Sequence, residues 1–117
     1  MHATTPPSSR SQVLDLAISA IEMLRPVVVR IRQCDRDLGE QIRRALSSVA
    51  LNIGEAIGSD GGNRVARFST AAGSNAEVRA ALRVAVAWQY VSARDVEAGE
   101  QVLDRIAAML YRLGARR

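Results

Sequence analysis

The sequence predicts an all-α fold, an antiparallel up-down-up-down four-helix bundle. Three observations lead there. Apolar residues recur at three–four spacing in four successive stretches. The composition is 48% hydrophobic but only 3% aromatic, with alanine, leucine, isoleucine, valine and arginine prominent. That mixture suits close-packed helices and is unlike a sandwich or barrel. Capping and glycine signals mark short connections between the stretches. The 117 residues are enough for one domain with one core, expected over residues 11–117.

Residues 1–10 read as a disordered tail, because Pro6 and Pro7 lack N–H donors and the serines and threonines bring no core. Ser9 or Ser11 is expected to cap the first helix, which runs from about Gln12 to Gln33. Its seam is Leu14, Ala17, Ile21, Leu24, Val28 and Ile31, widened by Leu16, Ala20, Met23 and Val27. Pro26 interrupts one backbone bond, so the helix is either kinked or divided there, and the unbroken apolar phase favours a kink.

Asp35 is the expected N-cap of a second helix from about Arg36 to Ile57. Its core stripe is Leu38, Ile42, Ala45, Val49, Ile53 and Ala56. Gly39 and Gly54 are unfavourable inside a helix by about 1 kcal/mol each, which suggests another backbone close by. Leu46, Ala50, Leu51 and Ile57 extend beyond the stripe and suggest subunit contact.

Gly58-Ser59-Asp60-Gly61-Gly62 is the strongest turn signal. A third helix follows from about Asn63 to Tyr90, with Val65, Phe68, Ala72, Val78, Leu82 and Val86 inward. Trp88 and Tyr90 read as rim or core residues, since a base-stacking platform usually presents several aromatics. Ser92 or Asp95 caps the fourth helix, which carries Val96, Gly99, Leu103, Ile106, Leu110 and Leu113 and stops at Gly114.

The formal net charge is +4 and every basic residue is arginine. A basic chain permits nucleic-acid or anionic partners, provided the charge is clustered. Arg112, Arg116 and Arg117 also complement the negative end of the last helix. No apolar run of about 18 residues is present, and the N-terminus has no signal-peptide pattern. The one cysteine, Cys34, forms no internal disulfide. A cytoplasmic location is therefore expected.

A polar seam is expected along the central hairpin. Arg44, Ser48, Asn52 and Glu55 lie on its first arm, and Arg67, Gly73, Ser74 and Glu77 on its second. Folding the arms about Asp60 and Gly61 sets Arg44 against Glu77, Ser48 against Gly73 and Glu55 near Arg67, with Asn52 bridging to Thr70 or Ser74. The main reading is that this seam fixes helix register. Glu55 and Glu77 could form an acid/base pair, but no histidine, cysteine or lysine accompanies them. The only histidine is His2, so no Glu-x-x-His metal motif exists, and the glycines lack P-loop spacing. No catalytic residue, cofactor or metal is expected.

Gln41-Ile42-Arg43-Arg44-Ala45, Ser48-Val49, Asn52-Ile53 and Glu55, then Arg67-Phe68, Ala72-Gly73-Ser74 and Glu77, carry a resemblance. Over residues 14–113 the chain resembles the bacterial four-helix-bundle family linked to 23S ribosomal RNA intervening sequences. The accessory variability determinant of diversity-generating retroelements belongs to that family. One departure is Asn52-Ile53-Gly54-Glu55-Ala56, where the family has Asn-x-Ala-Glu-Gly. The resemblance implies a homopentameric ring without known enzymatic activity. It also implies association with nucleic acid, or with an RNA-handling protein such as a reverse transcriptase.

The expectation is a non-catalytic, homo-oligomeric, nucleic-acid-associated (RNA) adaptor. Its candidate contact residues are Arg30, Arg32, Arg36, Arg43, Arg116 and Arg117. The alternative is a protein-binding scaffold that uses the apolar surface around Leu46, Ala50 and Leu51 without touching nucleic acid.

Overall fold

A computed structural model describes residues 8–115. Most of the proposed tail, and the candidates Arg116 and Arg117, lie outside the described residues. Four helices make up the described chain: α1 (Ser9–Cys34), α2 (Arg36–Ile57), α3 (Gly61–Ala87) and α4 (Ala93–Arg112). Each packs on its neighbour in sequence and α1 closes on α4, giving an up-down four-helix bundle. The α1/α2 and α3/α4 seams therefore lie on opposite sides.

The helix ends follow local chemistry. Ser8, rather than Ser9 or Ser11, caps α1: its hydroxyl accepts from the Ser11 N–H at 3.1 Å. The α1 helix continues through Pro26 without dividing. Asp35 alone links α1 to α2. Its N–H donates to the Ile31 carbonyl at 2.7 Å, and its carboxylate accepts from the Leu38 N–H at 3.0 Å. Ser92 and Asp95 together form a capping box on α4. The Ser92 N–H and hydroxyl both bond Asp95, which holds that carboxyl below its usual range. Gly114 ends the helix with φ +101°, a conformation that favours glycine.

The turn after α2 is shorter than expected. Gly61 and Gly62 belong to the first turn of α3, leaving only Gly58, Ser59 and Asp60 between the helices. The Arg64 guanidinium reaches back to the Ser59 carbonyl at 2.9 Å.

The core is continuous through the bundle and is built on Leu24, Ile31, Ile42, Ile53, Phe68, Leu82, Leu103, Ile106 and Leu110. Each such side chain contributes about 1.5–3 kcal/mol through its burial. Some inward assignments change. Val65 and Met23 are exposed, while Leu46 and Ala50 are buried inside the subunit. The apolar excess on α2 thus reduces to Leu51, 67% exposed, and Ile57.

The two mid-helix glycines of α2 also part company. A Cβ on Gly39 would stand 2.6 Å from the Arg32 Cα, so Gly39 lets α1 and α2 approach closely. A Cβ on Gly54 would have nothing within 4 Å, so no backbone of this chain explains it.

Candidate functional site

The expected polar seam forms between α2 and α3, with altered partners. At its centre the hydroxyls of Ser48 and Ser74 are 2.7 Å apart. The Asn52 amide donates to the Ser48 carbonyl at 2.9 Å and to its hydroxyl at 3.1 Å. Asn52 therefore reaches Ser74 only through Ser48. Ser48 makes its cross-helix bond to Ser74, the residue next to Gly73. Thr70 turns back to its own helix, donating to the Ala66 carbonyl.

The ends of the seam are looser. Glu55 and Arg67 pair at 3.0 Å near the turn, with both side chains about half exposed. At the other end Gln41, not Arg44, donates to Glu77, at 3.5 Å. Arg44 makes no ion pair among the described residues. The expected Arg44–Glu77 contact is thus replaced by one a turn further along. Glu55 and Glu77 each meet a single exposed partner among the described residues. No group of three or more potential metal ligands occurs among the described residues.

The four described arginines proposed to meet nucleic acid have different surroundings. Arg32 and Arg43 both hold Glu40: the Arg32 Nε lies 3.0 Å from one carboxylate oxygen and the Arg43 Nη2 lies 3.1 Å from the other. The hydrogen bond from Arg43, aided by the charges of Arg32, Arg43 and Arg44, holds the Glu40 carboxyl below its usual range. Arg30 instead lies between α1 and α4 in a cavity shared with Met23, Pro26, Val27, Val91 and Asp95. Arg36 opens α2 and is exposed. Neither Arg30 nor Arg36 has an ion pair among the described residues.

The structure adds features that sequence reasoning missed. Asn75 is buried at 1% exposure in the core stripe of α3. Its amide donates to the Leu103 carbonyl of α4 at 2.9 Å, while its Oδ1 has no partner among the described residues. The signal was an asparagine at core spacing between Ala71 and Val78. Trp88 is 67% exposed and stacks near Tyr90, with ring centroids 6.5 Å apart. Burial, and then a hydrogen bond at 3.2 Å to the Asp35 carboxylate, raise the Tyr90 hydroxyl above its ordinary pKa. This bond ties the α3/α4 connection to the α1/α2 connection. Both rings serve the rim of the bundle.

Fold and site together define an all-α bundle with an internal polar register and a dispersed arginine surface. A family model, 23S rRNA-intervening sequence protein, matches residues 12–112, and the chain belongs to that family. The family is not known as one of enzymes. No curated protein and no solved structure matches the chain. Among the described residues no helix is long and apolar enough to cross a membrane.

Proposed function

We propose that this protein is a non-catalytic, homo-oligomeric adaptor that associates with RNA through exposed arginines. Family membership carries the reading, since the family takes its description from insertions in 23S rRNA. The all-arginine net charge of +4 supports it, because guanidinium groups bind phosphate oxygens in pairs. Arg30 and Arg36 are the better candidates, as neither makes an ion pair among the described residues, and only Arg30 has a carboxylate, Asp95, in its cavity. Arg32 and Arg43 are already engaged by Glu40. The oligomer is a ring, and the resemblance to the retroelement member suggests five subunits in it. An RNA-handling protein such as a reverse transcriptase is the protein partner this reading allows.

Exposed Leu51, with Ile18, Met23 and Val29, supports a second reading, a protein-binding scaffold with no nucleic-acid contact. Fluorescence anisotropy of a labelled single-stranded RNA, titrated with the protein across a salt series, separates the two. Binding that weakens steeply with salt is expected. Replacing Arg30 and Arg36 by alanine should flatten the log–log slope by about 1.4, from roughly 0.7 per phosphate contact. Affinity indifferent to salt, or no binding at low salt, overturns the adaptor reading.

A further inference from the structure

Along α3, Asn75, Arg79 and Arg83 follow one another at four-residue spacing. Asn75 and Arg79 both bond residues of α4, so this stripe runs along the α3/α4 side of the bundle. Two adjoining cavities open on it. The first, of 190 Å³, is lined by Ala72, Asn75, Ala76, Arg79, Ala107 and Tyr111. The second, of 500 Å³, shares Ala76 and Arg79 with the first and runs on to Ala80, Arg83 and Glu100. The alanines make a smooth floor. It admits a flat group and offers no deep apolar pocket of the kind that anchors a protein partner.

The polar groups of the trough have capacity left over. Asn75 is 1% exposed and spends its amide on the Leu103 carbonyl, while its Oδ1 has no partner among the described residues. A buried acceptor without a donor favours any ligand that brings one. Arg79 meets Asp104 through one nitrogen at 3.3 Å, and both side chains are exposed. Such a surface pair is weak and leaves most of the guanidinium donors for other oxygens. Arg83 makes no ion pair among the described residues. Glu100 is the one carboxylate lining these two cavities. Tyr111 stands at the wall of the first with its side chain open to solvent.

We infer that the α3/α4 trough holds a nucleotide unit of single-stranded RNA. The planar base enters the first cavity against the Tyr111 ring and donates an N–H to Asn75 Oδ1. The phosphates on either side meet Arg79 and Arg83. Four residues of helix rise about 6 Å. That step is comparable to the reach from a base to its own phosphate, and from there to the next, so acceptor, arginine and arginine follow the order of groups along a strand. Because the Asn75 amide is already spent, the cavity offers only an acceptor, and the pairing edge of every RNA base carries an N–H to answer it. Stacking on Tyr111 is likewise tolerant of sequence. This inference rests on the proposed association with RNA and adds a base-binding site to it, apart from Arg30 and Arg36.

Tyr111→Ala and Arg83→Ala test the site at exposed positions, with circular dichroism to confirm the helical fold. Fluorescence anisotropy compares a short labelled single-stranded RNA with an abasic strand of the same length, across a salt series. Wild-type protein should prefer the base-bearing strand by about tenfold, the worth of one stacked base. Tyr111→Ala should remove most of that preference and leave the salt slope unchanged. Arg83→Ala should keep the preference and flatten the log–log slope by about 0.7. A wild type that binds neither strand at low salt overturns the association with RNA itself. A wild type that binds both strands equally, or a folded Tyr111→Ala that keeps the full preference, overturns only the base site. Adenosine monophosphate that competes as well as the strand, at equal nucleotide concentration, overturns the strand reading in favour of a free nucleotide.

Discussion

Helix α3 meets its two neighbours through unlike seams. Against α2 the polar groups satisfy one another: Ser48 with Ser74 at 2.7 Å, and Asn52 onto Ser48. Against α4 a single buried asparagine crosses, using its donor on Leu103 and leaving its acceptor unpaired among the described residues. The first seam is a closed network, and a one-turn slip would strand several part-buried groups. The second locates α4 with one buried hydrogen bond, beside an exposed Arg79–Asp104 pair at 3.3 Å, and leaves open space outside it. Polarity inside a bundle therefore does different work according to whether its partners are all internal.

The largest break in that contrast is Asn75→Asp. The carboxylate would face the Leu103 carbonyl with no proton to offer, and its charge would sit where the side chain is 1% exposed. The expected loss at neutral pH is about 3 kcal/mol or more by urea titration. The loss should shrink as pH falls towards about 4 and level off below it, where the acid is protonated in the folded and the unfolded chain alike. Asn75→Leu keeps the branched heavy-atom skeleton and removes the unpaired oxygen, so it should cost clearly less. Equal losses would mean that packing, not polarity, governs the α3/α4 seam.

The closed seam should respond more mildly but cooperatively. Ser48→Ala leaves the Ser74 hydroxyl without its partner, and Ser74→Ala leaves the Ser48 hydroxyl with Asn52 alone, at about 1 kcal/mol apiece. The double variant should cost less than the sum, with a coupling of about 0.5–1 kcal/mol. Strict additivity would show that the 2.7 Å contact contributes no mutual stabilisation.

Much of this architecture was legible from periodicity and caps. Leu24, Ile31, Ile42, Ile53, Leu103 and Leu110 keep their expected places because three–four spacing over many turns leaves only one face to bury. Asp35 and Ser92 cap as their residue types predict. What spacing could not resolve was which neighbour fills which gap. Leu46 and Ala50 lie off the main stripe of α2 yet are covered, because a helix in a bundle has two neighbours and buries a wide arc. Pairing across the hairpin was right at Glu55–Arg67, near the turn, and failed at Arg44–Glu77. Gly61 and Gly62 shorten the turn by joining α3, and a shift at the turn alters which residues face one another further away. Arginine clustering was the least legible feature, since Glu40 captures Arg32 and Arg43 from different helices.

The smallest expected effects lie at the two ends of the α2/α3 seam. Glu55 and Arg67 are 57% and 51% exposed, so water screens their attraction and both side chains lose rotamer freedom to meet. Glu55→Gln should cost less than about 0.5 kcal/mol and nothing measurable in 1 M salt. Glu77→Gln should be as mild, because its contact with Gln41 is long, exposed and open to replacement by an amide. Chemical denaturation of both variants beside Ser48→Ala sets the end against the middle of one seam. A loss above about 1.5 kcal/mol at either glutamate would place the register lock at the ends, and the serine–asparagine centre would become filler between two ionic ties.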